Sequence, residues 1–133
     1  MKKKVLTLTV SKQWFDMIVA GEKTEEYREI KGYWVKRLFL LWNEDTCTNE
    51  KIPLCVKNWD SISPKMAYYC INSPYYKAIP YTHALFINGY RKDSPRIEKE
   101  IESITIGKPK KGLCPDKWLD TEFFIIILHF RAR

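Results

Sequence analysis

The chain has 133 residues, 45% of them apolar, enough for one core and so for a single domain over 1–133. Its formal charge of +7, with a pI near 9.2, draws phosphates and other anions, although a basic balance also serves solubility alone. The four cysteines (Cys47, Cys55, Cys70 and Cys114) form no C-x-x-C pair, the histidines His83 and His129 lie far apart, and the longest apolar run is 123–128, so neither a metal site nor a membrane span is expected.

Residues 5–10, Val-Leu-Thr-Leu-Thr-Val, alternate as a half-buried strand does, with Leu6, Leu8 and Val10 on one face. Ser11 then offers an N-cap hydroxyl, and Trp14, Phe15, Ile18 and Val19 recur at helical spacing, predicting a helix over 11–20 that Gly21 ends in a left-handed C-cap. After Gly21 the period becomes two. A strand over 24–30 puts Thr24, Glu26, Arg28 and Ile30 on one face and Glu25, Tyr27 and Glu29 on the other, with Lys23 at the turn before it. From 33 to 42 the apolar pattern is helical again, through Trp34, Leu38 and Leu41 beside Val35, Phe39 and Trp42.

Residues 43–80 carry four prolines and clustered tyrosines, Tyr68-Tyr69 and Tyr75-Tyr76, and are expected to form an irregular insert with one short helix near 64–71. Residues 83–90 are a predicted strand ending at a glycine, 100–106 a β-rich strand, 107–112 a basic loop, 115–119 a helical turn and 123–130 a buried closing strand. Leu6, Leu8, Ile18, Val19, Phe86 and Ile126 are expected to share one core. Five or so strands with two or three short helices describe a small α+β protein.

The segment Gly21-x-Lys23-x-x-Glu26-x-Arg28, behind the helix-like 12–20, resembles the signature of the ASCH domain, a relative of the PUA-like RNA-associated β-barrels. Strand, helix, motif and an aromatic-basic segment follow in that family's order over about 4–42. The resemblance implies a small PUA-like β-barrel of about five to six strands whose cleft is lined by Lys23, Glu26 and Arg28 and holds RNA or a nucleotide-like ligand. Some small members of the family hydrolyse an acylated cytidine with a lysine base and a threonine three positions later. Lys23 matches that lysine, whereas the threonine position holds Glu26.

The residue types support such chemistry on their own terms. A lysine and an arginine hold a phosphate or carboxylate, the arginine bidentately, while a carboxylate orients the arginine or accepts from a base amino group. The same Glu26–Arg28 pair also reads as a solvated ion pair of little worth. Were the protein an enzyme, Lys23 and Glu26 would be its acid–base pair in a small metal-independent hydrolase, a ribonuclease or a modified-nucleoside amidohydrolase. Tyr33, Lys36 and Arg37 interleave aromatic and basic character as a nucleic-acid surface does, while Trp34 falls on the apolar stripe. Lys108, Lys110 and Lys111 are further phosphate contacts or a solvated loop. His83 and His129 read as structural. No Walker loop, dinucleotide fingerprint or nucleophile motif occurs, so no cofactor is expected, and the absence of a secretory h-region after Met1 points to a cytoplasmic protein with reduced thiols. A module that binds other proteins is the third reading.

Overall fold

The computed structural model describes residues 2–43, 48–51, 63–72 and 76–129. Strand β1 (Val5–Thr9) leads into helix α1 (Lys12–Val19), strand β2 (Glu25–Arg28) and helix α2 (Gly32–Leu38). Strands β3 (Phe39–Asn43) and β4 (Thr48–Lys51), helix α3 (Pro64–Ile71) and strand β5 (Tyr76–Ala78) follow. Strands β6 (His83–Ile87), β7 (Arg96–Gly107) and β8 (Phe123–Leu128) come last, with a 3-10 turn, Asp116–Trp118, before β8. The fold is α+β. None of the helices among the described residues is long and apolar enough to cross a membrane.

Five strands form one mixed sheet in the order β1-β6-β7-β8-β2. β1 lies parallel to β6 and the remaining neighbours are antiparallel. β7 serves both halves. Its first residues pair with β6 (Phe86 opposite Ile97), its last with β8 (Ile104 opposite Ile126), and an irregularity between Ile101 and Ser103 bends it from one set to the other. A second sheet, β4-β3-β5, follows α2 directly.

The sheet alternation decides the core. Leu6 and Leu8 of β1, Ala84 and Phe86 of β6, Ile106 of β7 and Phe124, Ile126 and Leu128 of β8 point to one side, where α1 contributes Phe15 and Ile18 and α2 contributes Val35 and Leu38. The odd residues of β8, Phe123 and Ile125, point the other way and join Tyr27 and Cys114 in a smaller cluster. β8 is therefore buried on both faces, as its unbroken apolar run requires.

Gly21 takes φ +79° just past the C-cap of α1. Gly21 N–H donates to the Ile18 carbonyl (3.1 Å) and Glu22 N–H to that of Met17 (2.9 Å), the paired bonds of a Schellman turn. That turn aims the chain into β2 and sets Lys23 beside it.

Several expectations change. Ser11 stands at the N-cap of α1 with extended backbone angles, but its hydroxyl makes no capping bond. Val19 is 49% exposed rather than in the core, because its neighbours Phe15 and Ile18 take the inward positions. The predicted helix over 33–42 stops at Leu38. Phe39–Asn43 is a strand, since β4 and β5 offer it a hydrogen-bonding ladder on both sides that a helix could not use. The insert is correspondingly more regular than expected, with its helix at Pro64–Ile71, while 44–47, 52–62 and 73–75, including Cys47, Cys55 and Tyr75, lie outside the described residues. β2 is shorter than 24–30, and β7 is longer than 100–106, absorbing Ile97 and Ile101 into a strand. Among the described residues a closed barrel is not formed: β1 and β2 are the two edges of the five-stranded sheet, with no ladder between them. A side chain bridges that gap, the Arg28 guanidinium donating to the Thr9 carbonyl at 2.9 Å.

Candidate functional site

The alternation of β2 sorts its charged residues as the sequence predicts. Glu26 and Arg28 share one face, and Glu26 Oε2 accepts from Arg28 Nη2 at 3.1 Å. On the other face the Tyr27 hydroxyl donates to Glu25 Oε1 at 2.9 Å. Lys23, in the turn, folds back over the strand: its Nζ is 3.6 Å from Glu26 Oε1 and lies 4.6 Å from the ring centre of Tyr27 and 5.3 Å from that of Trp14. The same ammonium donates to the carbonyl of Leu113 in the loop before β8. Lys23, Glu26 and Arg28 thus converge, and the first two are almost sealed, at 2% and 7% exposure.

Burial of this kind has a cost. Charged groups removed from water lose hydration that ion pairs only partly replace. Desolvation accordingly lowers the Lys23 pKa, against the opposing pull of Glu26 first, then Cys114 and Glu25. The Cys114 thiol is pushed up by burial, with Lys23 acting against the shift. Burial also pushes the Tyr27 phenol well above its ordinary range, while the Lys110 backbone N–H, donating to its oxygen at 3.1 Å, pulls the other way.

Around these charges lies an open pocket of about 290 Å³. Its wall combines Trp14 from α1, Tyr27 from β2 and Trp118 from the 3-10 turn, with Lys23, Glu26 and Arg28 among the lining residues. Trp118 is fixed by stacking on Phe123, with ring centres 5.0 Å apart and planes inclined by 27°. The loop carrying Leu113 and Cys114 is held to β2 by the Lys110 backbone bond to Tyr27 and by Lys110 Nζ, 3.2 Å from Glu25 Oε2. Lys110, expected as a phosphate contact or solvated loop residue, is an exposed loop residue whose backbone N–H clasps this wall, and Lys108 and Lys111 are exposed as well.

Tyr33, Lys36 and Arg37 do not line the pocket. Tyr33 is 61% exposed and Lys36 is exposed on α2, while Arg37 joins Arg28 through Trp34. The two guanidinium carbons lie 5.0 Å (Arg28) and 5.3 Å (Arg37) from the Trp34 ring centre, so Trp34 is half-buried between cations. Tyr68 and Tyr69 of α3 are exposed.

A larger groove of about 860 Å³ shares Lys23 with the pocket and brings together His83, His129, Glu98 and Glu100, which the sequence kept apart. Its charges are mixed in sign, Glu98 is taken by Lys3 at 2.7 Å, and His83 Nδ1 lies 2.8 Å from the Thr82 hydroxyl. It has no aromatic wall, so the smaller pocket is the better site. His129, read as structural, is exposed at the end of β8.

Reasoning from sequence missed Trp14, Glu25, Tyr27, Cys114 and Trp118. The signal for Glu25 and Tyr27 was present in the second face of β2. Trp14 was hidden on the apolar stripe of α1, and Cys114 and Trp118 lie in a loop far along the chain, 90 residues away in the case of Lys23 and Leu113. Comparison with family models, with curated proteins and with solved structures finds no match.

Proposed function

We propose that the protein is a PUA-like module of the ASCH type that binds a nucleotide-like ligand, free or within RNA, in the pocket of Lys23, Glu26 and Arg28. The observation that carries this reading is the sealed Lys23–Glu26 pair, continued by Arg28, against an aromatic wall in a 290 Å³ pocket. Apolar residues would fill that position at less cost if it served the fold alone. Aromatic faces suit a stacked base, the Lys23 and Arg28 donors suit carbonyl or phosphate oxygens, and Glu26 suits an amino group. The pocket is at the small end for a ligand site and suits one base.

A second reading, a small hydrolase, is favoured by one observation: burial lowers the pKa of Lys23 beside a carboxylate at 3.6 Å, an acid–base pair in form. Glu26→Gln separates the two. In a binding site it weakens nucleotide affinity by roughly one charge-assisted bond, about 1.5–3 kcal/mol. In an enzyme it leaves binding largely intact while turnover of labelled RNA or an acylated nucleoside falls ~100-fold or more. Calorimetric titration and a turnover assay on wild type and this variant, with thermal melts to confirm folding, read both. Wild-type protein that neither binds nor turns over such ligands at low salt reduces the cluster to a structural ion pair and leaves a protein-interaction module as the surviving reading.

A further inference from the structure

Resting on the reading just given, we infer that the ligand is a single-stranded nucleic acid rather than a free nucleotide, and that the strand leaves the pocket along the free edge of β1, over Arg28, Arg37 and Tyr33.

Among the described residues no strand pairs with the outer edge of β1. Two of its carbonyls are met by guanidinium groups instead, Thr9 O by Arg28 Nη2 at 2.9 Å and Thr7 O by Arg37 Nη2 at 3.5 Å. These carbonyls are two residues apart on one strand and so point the same way, about 6.6 Å from each other by the strand rise. The anchor points of the two arginines are thus set out along β1 one strand repeat apart, and both guanidinium groups pack on Trp34. Such an interval suits successive phosphates of an extended strand. Phosphates sharing a bridging oxygen, as in a nucleoside diphosphate, lie closer together than this.

The charge balance agrees. Glu26 is shared between Lys23 and Arg28, and Arg37 has no carboxylate partner among the described residues. It is held in place by rings and dipoles: its Nη1 donates to the Tyr33 hydroxyl at 3.1 Å and its Cζ lies 5.4 Å from the Tyr33 ring centre. The Nε atoms of Arg28 and Arg37 are enclosed without a hydrogen-bond partner, and both guanidinium groups pack on the Trp34 ring. An arginine immobilised with no carboxylate among the described residues has room for one charge-assisted partner, and a phosphate supplies it. Beyond Arg37, the exposed Tyr33 ring offers a face for the next base. A base in the pocket, a phosphate at each arginine and a base on Tyr33 make a track of two to three nucleotides.

The test is fluorescence anisotropy with labelled cytidine and adenosine monophosphates and with mixed-sequence oligonucleotides of two, three and five nucleotides, as RNA and as DNA, at two salt concentrations. Affinity should rise from one to three nucleotides and then level off. Arg37→Gln should leave mononucleotide binding unchanged, weaken the trinucleotide roughly tenfold, and lower the salt slope by about 0.7. Tyr33→Ala, at an exposed position, should weaken the trinucleotide alone and guards against a folding defect in the first variant. RNA and DNA binding alike, or RNA alone, both agree with the inference. Mononucleotide binding with no gain from added nucleotides, or an equal loss of mononucleotide and trinucleotide affinity in both variants, overturns it while sparing the pocket. Failure of wild-type protein to bind any of these probes overturns the pocket reading and the track together.

Discussion

At the scale of single residues, Tyr27 joins the two sides of the site. Its hydroxyl donates to Glu25 and accepts from the Lys110 backbone, so it ties the loop wall to β2. Tyr27→Phe leaves both partners unsatisfied and should cost about 1–3 kcal/mol at pH 8. The pH dependence follows from the raised phenol. Above about pH 10 an unfolded tyrosine loses its proton while the native one keeps it, so the unfolded chain binds fewer protons and stability falls as pH rises. Lys23 acts in the opposite sense, because its lowered pKa makes the native state lose a proton first, and this part is common to wild type and variant. Urea melts from pH 8 to 11.5 should therefore show the advantage of wild type over Tyr27→Phe shrinking by up to ~1.4 kcal/mol per pH unit above pH 10. A constant difference would mean that the phenol is not held protonated. Of this chemistry, the Glu26–Arg28 partnership was legible from a period of two. The burial of Glu25 was not, because nothing local reveals that Lys110 and a loop far along the chain will cover it.

At the scale of elements, the turn after α1 was the clearest signal, since a glycine after an apolar stripe has a single physical meaning there. No heavy atom beyond the adjoining residues lies within 4 Å of a Cβ added to Gly21, so the cost of Gly21→Ala comes from the left-handed backbone. A loss of about 1–2 kcal/mol in urea unfolding is expected. The same substitution at Gly89, at φ +120°, brings a Cβ to 2.8 Å from Ser94 Oγ and should cost more than at Gly21. Equal losses at the two sites would show that contact at Gly89 is relieved by movement of Ser94. The end of α2 departs from the helical expectation for an equally physical reason. Trp34 to Trp42 satisfies the helical repeat, but Phe-Leu-Leu-Trp is also a good strand, and the choice was made by β4 and β5, whose own sequence carried little apolar alternation. Local pattern cannot rank two structures when the deciding hydrogen bonds come from elsewhere.

For the whole molecule, composition indicated one core and the alternation of helical and strand periods an α+β build, but strand order was beyond reach, because β1 skips to β6 and β2 to β8. The two sheets meet through aromatic packing, Phe39 against Phe124 with ring centres 5.7 Å apart. Phe124 is fully buried, and Phe124→Ala should cost ~3–5 kcal/mol. Because its ring touches both sheets, far-UV circular dichroism and tryptophan fluorescence should lose amplitude together in urea. Separate transitions would show that the β4-β3-β5 sheet unfolds independently.

The long span between paired strands also has a consequence in time. Lys4 meets Thr82 across 78 positions, and the pocket closes only when β2 finds β8. Contacts so distant along the chain carry a loop-closure cost that delays them, so the binding pocket belongs to the late events of folding. A ligand that recognises only the finished pocket then has nothing to hold in the transition state. It should slow unfolding in proportion to its occupancy and leave the refolding rate unchanged.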